Sequence, residues 1–480
     1  MKPADALLLP AWRIAELVRS GEQSPVEIVQ ASLDRIARLD SQVHAFLTVT
    51  ADEALAEAEE AAAAVRAGEP LGPLHGVPIA VKDELWTKGV RATAGSLAFE
   101  DFVPEQDGTA MARLRAAGAI LVGKTNVPEF MCWSRTANNL GPETVNPWDT
   151  RRSPGASSGG SGAALAAGMV PLAVGSDGGG SIRIPAALCG VHGLYPTPGR
   201  VPDTGSFSYS PVGSLGPMAR DVRDLALALT VMSGPDGEDE RKVPPAGDYL
   251  AAIASGVAGL RCAWTPDFGH IQTQPGLTDA VRGAVAPLAD AGAEILTLDV
   301  AFEDFWEILH SSVEVLAEAD GIARPPYTRS PAFLERCLRP ANFERLTPFG
   351  QGAATARFSN DEVRARSVER LFDLRRRVEA LFARYDVILS PTMPTTAPLL
   401  PEGLADPYPY PPLACGTYFT SVANLCRLPA ASFACGLFDG LPMAVQVIGP
   451  WGREDVVLKV CAALERIAGS PARIAPMAEL

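Results

Sequence analysis

Two glycine- and serine-rich stretches hold the residues best suited to chemistry. They are Ser153-Pro154-Gly155-Ala156-Ser157-Ser158-Gly159-Gly160-Ser161-Gly162 and Gly175-Ser176-Asp177-Gly178-Gly179-Gly180-Ser181-Ile182-Arg183-Ile184-Pro185. Glycine lets backbone N–H groups approach a ligand closely, and a run of such groups forms a nest for negative charge, either phosphate or an oxyanion. The phosphate reading fits poorly: no G-x-x-x-x-G-K-[ST] is present, and no G-x-G-x-x-G opens a suitably placed helix with an acidic residue about 20 positions later. Tight structural turns would explain one such loop better than two that both carry serines. If Ser181 is a nucleophile it needs a base, because an unassisted hydroxyl is weakly nucleophilic near neutral pH. The histidines His44, His75, His192, His270 and His310 sit in no recognisable triad motif, although distant ones can converge in a fold. Lys82 ends the apolar run Val77 to Val81 and is the other candidate, although a lysine at a strand end is commonly just solvated. Asp177 and Arg183 flank the second loop and suggest an ion pair that fixes it.

The elements around these loops alternate between helix and strand. Thr109 to Ala117 reads as a helix closed by Gly118, with a strand from Ala119 to Val122; Gly160 to Ala167, Gly168 and Val170 to Val174 repeat that order. Alternation of this kind implies an α/β fold with a mixed, largely parallel central sheet covered by helices on both faces. Upstream, Ser24-Pro25-Val26-Glu27 reads as a capping box opening a helix to about Leu39, and a second helix runs from near Thr50 to Ala67, where Gly68 stops it. Downstream, Asp361 to Ala383 reads as helical, Tyr385 to Leu389 and Leu441 to Ile448 as strands, and Arg453 to Ile467 as a C-terminal helix. The expected organisation is one unit over residues 1–480: a core at about 70–230 and 385–450, an inserted helical cap at about 235–384, N-terminal helices within 1–68 and a C-terminal helix at 453–467.

Composition narrows the function classes. A 47% apolar and 20% charged chain is that of an ordered globular protein. The net charge of −15 argues against a phosphate-backbone or anionic-membrane partner, since such partners are held by Lys and Arg. Prolines and charges interrupt the N-terminal apolar stretch, and Gly168 and Pro171 break the run from Ala163 to Val174, so neither a signal peptide nor a membrane span is expected. The 8 cysteines show no CxxC pair and no histidine at ligand spacing, which predicts free buried thiols, no metal and no cofactor, in a reducing, cytoplasmic setting.

Taken together, the two loops resemble the signature of the amidase signature family. Similar stretches run in order along the chain: Gly76-Val77-Pro78 through Lys82-Asp83, Val122-Gly123-Lys124-Thr125-Asn126-Val127-Pro128-Glu129-Phe130, Asn146-Pro147-Trp148-Asp149, Cys189-Gly190-Val191-His192-Gly193-Leu194, and Leu441-Pro442 through Gly449-Pro450. The resemblance implies a relay in which Lys82 is the base, Ser157 the serine with a cis peptide bond and Ser181 the nucleophile. It also places the backbone N–H groups of Gly178, Gly179, Gly180 and Ser181 as an oxyanion hole, with Ser158, Asp177 and Arg183 supporting the loops. Ala156, Gly178 and Tyr195 depart from the family pattern; Tyr195 stands where a Lys is common, which removes any substrate contact that Lys would make. Pocket walls are expected from Met131, Cys132 and Trp133 and from the loop Gly205 to Pro211, including Tyr209.

These features lead to the expectation of a stand-alone serine hydrolase of amides, or of related aryl amides, esters or carbamates (a urethanase), acting through an acyl-enzyme. Its expected partners are a small-molecule substrate, no nucleic acid and no membrane, with a homodimer left open. The alternative within the family is the glutaminase subunit of a tRNA-dependent amidotransferase. It is disfavoured because Met131-Cys132-Trp133-Ser134 is unlike that subunit's usual small-residue continuation. A catalytically silent binding protein is the third reading, and it sits badly with three intact relay positions.

Overall fold

A computed structural model describes residues 1–207, 210–269, 271–298, 300–302, 331–347, 351, 361–401, 417–469 and 474–479. Its frame is a sheet of 11 strands in the order β1-β3-β2-β4-β6-β5-β10-β11-β9-β7-β8. The strands are β1 (Phe46–Val49), β2 (Pro78–Lys82), β3 (Ile120–Thr125), β4 (Leu172–Asp177), β5 (His192–Tyr195), β6 (Ser214–Ala219), β7 (Arg261–Trp264), β8 (Glu294–Thr297), β9 (Val387–Pro391), β10 (Ala430–Phe438) and β11 (Leu441–Ile448). The sheet is mixed. Parallel pairing is confined to two blocks, β3-β2-β4 and β9-β7-β8, and antiparallel pairs connect them through β6, β5, β10 and β11.

Side-chain alternation along the central strands supplies a core to each face. Ile79, Val81, Leu121, Leu172 and Val174 enter one apolar cluster with the helices Val222–Met232 and Glu454–Ala468. Ala80, Ile120, Val122 and Ala173 enter another with the helices Pro25–Val43 and Gly159–Ala166. Burial on both faces explains why the central strands read as continuous apolar runs rather than as alternating patterns.

Several boundaries differ from the sequence reading for local reasons. The first long helix continues to Val43, because Leu39 and Val43 extend its buried stripe, and it ends where His44 turns left-handed at φ 56. Pro25 occupies its first turn, but the Ser24 side chain makes no capping hydrogen bond, so the expected capping box is not formed. The sequence reading assigns no strand to Ala430–Phe438, which pairs with β11 across an Asp439-Gly440 turn whose residues have φ of 51 and 78. Two positive φ values at an Asp-Gly pair are what a tight two-residue hairpin requires. The segment 235–384, expected as a cap, contributes β7 and β8 to the main sheet, β7 pairing in parallel with both β9 and β8. Among the described residues, no helix is long and apolar enough to cross a membrane.

Candidate active site

The candidate relay residues gather at the carboxyl ends of β2 and β4, two neighbouring parallel strands, which is where open α/β sheets place their clefts. Lys82 is the last residue of β2 and has no exposed surface. Its Nζ lies 2.7 Å from Ser157 Oγ and 2.8 Å from Ser176 Oγ. Ser157 precedes the helix Gly159–Ala166, and the peptide bond joining Ala156 to Ser157 is cis. That helix lies so close to the sheet edge that a Cβ on Gly160 would collide with the backbone of Asn126 and Ala45. Burial pushes the Lys82 amine below its ordinary pKa, and Glu84, Asp177 and Cys132 oppose this without cancelling it.

Ser181 sits in the turn between β4 and the helix Arg183–Cys189, and it is partly exposed. The turn is organised by Asp177. Its Oδ1 accepts the Gly180 N–H at 2.7 Å, and its Oδ2 accepts those of Ile182 and Arg183 at 3.2 and 3.3 Å. Gly180 has φ 121, and a Cβ there would strike Thr420 Oγ1, so the loop needs glycine at this position. Of the four N–H groups expected to hold an oxyanion, that of Gly180 is therefore committed to Asp177.

Asp177 and Arg183 form a two-pronged ion pair, Nε to Oδ2 and Nη2 to Oδ1 both at 3.0 Å, with neither side chain exposed. Arg183 also donates to Thr420 O at 2.8 Å, Gln446 Oε1 at 2.7 Å and Asn424 Oδ1 at 2.6 Å. Burial alone would raise the Asp177 pKa, but the Arg183 charge and hydrogen bonds from Arg183, Asn424 and Gly180 outweigh it and leave the carboxyl below its ordinary value. Ser158 Oγ donates to Ser176 O at 3.2 Å and so ties the two serine loops together. Tyr195 is turned away from any substrate role: it is buried, donates to Val212 O at 2.7 Å and lies 4.8 Å from the Arg183 guanidinium.

Of the expected pocket residues, Met131 packs against the aromatic cluster containing Phe99, Phe130 and Phe207. Phe130 and Met131 both adopt positive φ, at 53 and 58, a strained backbone of the kind that gathers at functional loops. Cys132 is exposed, unlike the buried thiols expected from the sequence. Trp133 stacks on Arg135 at 5.4 Å. Tyr209 lies outside the described residues. Sequence reasoning gave no role to Ser176 or Glu84, although both lie within or beside the quoted motifs. It also missed Thr420, Asn424 and Gln446, which stand more than 230 residues beyond Arg183 in the chain and carry no local signal.

With this geometry in place, a family model described as Amidase matches residues 27–458, and the chain belongs to this family, the amidase signature enzymes, which act on C–N bonds. A glutamyl-tRNA(Gln) amidotransferase subunit of Salinispora tropica is 38% identical over 97% of this chain and 98% of its own. The protein of the same name from Roseiflexus sp. is 40% identical over 94% and 95%. Among solved structures, a bacterial aryl acylamidase of the same family superposes with a TM-score of 0.83 at 28% identity, covering 95% of this chain and 96% of that one. The corresponding glutamyl-tRNA(Gln) amidotransferase subunit of Thermotoga maritima gives 0.76 at 32% identity, covering 98% of both chains.

These relatives correct two expectations. The stand-alone hydrolase and its partner set, a small molecule with no nucleic acid and at most a homodimer, give way, because the curated relatives are named as part of an amidotransferase of glutamyl-tRNA. The four residues Met131 to Ser134 are too local to set against identity along nearly the whole chain. Net charge constrains only the contacts a chain makes itself and is silent on those made by a partner.

Proposed function

We propose that this chain is the glutaminase-type subunit of a tRNA-dependent amidotransferase, releasing ammonia from the side-chain amide of glutamine for use by a partner. The supporting observation is 38% identity to the Salinispora amidotransferase protein over 97% of this chain and 98% of the relative. Neutral Lys82 takes the Ser157 proton as Ser157 takes that of Ser181, since a hydroxyl donates and accepts at once. At its unperturbed pKa of about 10.4 a lysine is neutral in only about one molecule in a thousand near pH 7.4, so burial of Lys82 is what makes it usable as a base.

Ser181 Oγ bonds to the amide carbon, and the carbonyl oxygen becomes an oxyanion held by the N–H groups of Gly178, Gly179 and Ser181. Each such donor is worth roughly 3 kcal/mol. Collapse breaks the C–N bond as Ser157 protonates the leaving nitrogen, and water then cleaves the acyl-enzyme through the same relay. Met131 to Trp133 form one wall of the cleft in this reading.

The test combines the chain with the other subunits of the amidotransferase and Glu-tRNA(Gln), and follows glutamine hydrolysis together with amidation of the tRNA-bound glutamate. Ammonia release that rises with partner and tRNA, and disappears in Ser181→Ala, is the expected result. A chain whose Ser181 reacts with a fluorophosphonate yet leaves glutamine intact under those conditions would overturn the proposal.

A further inference from the structure

Beside the relay lies a carboxylate that the mechanism above leaves unused. A tight turn follows β2, closed by the Leu85 N–H donating to Lys82 O at 3.0 Å, and it brings Glu84 back over Lys82. The turn is pinned from outside by the Phe207 N–H on Glu84 O at 3.3 Å and by a bridge between Leu85 and Ser206. Glu84 Oε1 comes within 3.2 Å of Lys82 Nζ, and both side chains have no exposed surface. Neither carboxylate oxygen has a hydrogen-bond partner among the described residues, so the contact with Lys82 is one of charge. A buried carboxylate without other partners is costly to keep unless a neighbouring cation repays it, and Lys82 is the cation in contact with it.

We propose that Glu84 is a positioning residue for Lys82: its carboxylate, 3.2 Å from Nζ, holds the amine by charge between Ser176 and Ser157 so that it can pass a proton in both directions. The inference rests on the reading of Lys82 as the base. A relay base must accept a proton from Ser181 and hand it back to the leaving nitrogen, which works best when its pKa lies near the working pH. Desolvation of Lys82 lowers its pKa and so weakens it as a base. Glu84 pulls the other way and is the largest of the opposing influences, ahead of Asp177 from the end of β4 and Cys132 from the loop after β3. Glu84 itself is faced by Lys124 on β3 and by Asp203 ahead of β6, the latter paired with Arg241 at 3.0 Å. Asp83, next in the chain, is turned to Thr93 instead, accepting its N–H at 2.8 Å, which leaves Glu84 as the acid that addresses the relay.

The experiment is the rate of fluorophosphonate labelling of Ser181 against pH in the full chain, which needs neither partner nor known substrate. Glu84→Gln keeps the shape and removes the charge, and its acidic limb should move to lower pH by about one to three units. The plateau rate should fall about tenfold, because a less basic lysine is a poorer general base. Glu84→Asp keeps the charge but withdraws it, so its limb should lie between the two. A folded Glu84→Gln protein whose limb coincides with that of the wild type would overturn the inference, as would an unmoved limb in Glu84→Asp if only that variant folds. Absence of Ser181 labelling in the wild type would instead overturn the relay, and this inference with it.

Discussion

Arg183→Met tests whether the turn carrying Ser181 is held by charge. Methionine fills much the same space beneath Tyr195 but leaves the Asp177 carboxylate buried without its cation, and it deletes the bonds to Thr420, Asn424 and Gln446. Breaking a buried pair by removing one partner costs about 3–5 kcal/mol. For 480 residues the unfolding entropy is about 1 kcal/mol per kelvin, so Tm should fall by about 3–5 °C near pH 7.5. The pH dependence carries the sharper signature. In the wild type the Asp177 pKa is depressed, so its stabilisation is present above the unfolded carboxyl pKa of about 4 and is lost as pH falls through the lower folded value. In the variant the Arg183 charge no longer opposes burial, and only the hydrogen bonds from Asn424 and the backbone do, so the pKa rises above its wild-type value and the penalty grows as pH rises above about 4. The gap in Tm should therefore be widest at neutral pH and narrow toward pH 5, as read by calorimetry on both proteins. Ser181 labelling should fall with it, because Asp177 holds the N–H groups of Gly180, Ile182 and Arg183. A gap of the same size at pH 5 and 7.5, or no gap at all, would refute the electrostatic account of the loop.

Three further outcomes are expected. Ser181→Ala should abolish fluorophosphonate labelling and turnover while Tm stays within about 2 °C of the wild type, since one partly exposed hydroxyl is removed; labelling retained at the wild-type rate would show that the nucleophile is elsewhere. Activity should rise with pH through the lowered Lys82 pKa, and Lys82→Arg should lose roughly 10²–10⁴-fold across the range, because arginine keeps the charge but gives up no proton. Substantial rates in Lys82→Arg, read as kcat/KM against pH, would mean that the lysine acts only through its charge. Gly180→Ala should slow labelling and cost at least about 1–3 kcal/mol, since it strains a backbone at φ 121 and drives a Cβ into Thr420; a variant with the wild-type rate and Tm would show that the loop tolerates a side chain there.

The sequence by itself carried the α/β class and the helix and strand order around the site, and it offered Lys82, Ser157 and Ser181 as candidates that the family resemblance drew together. These were legible because each is a local property: apolar runs ended by glycine, and glycine-serine loops of a composition few other purposes explain. The Asp177 and Arg183 pair was legible for the same reason, since its members lie six positions apart and bracket one turn. Strand β10 was not, although its Asp-Gly turn is a local signal, because Ala430–Phe438 mixes small and aromatic residues without a clear period. The pairing of β7 with β9 was not legible either, since which strands meet in a sheet depends on contacts between segments more than a hundred residues apart. Only the tertiary structure brought Thr420, Asn424 and Gln446 onto Arg183, committed the Gly180 N–H to Asp177, and folded Glu84 over Lys82. Each of these depends on where a side chain ends up in space and how little water remains around it. Spacing along the chain reports which groups a turn can gather, whereas the desolvation that lowers the Lys82 pKa arises only when distant strands and helices close over it.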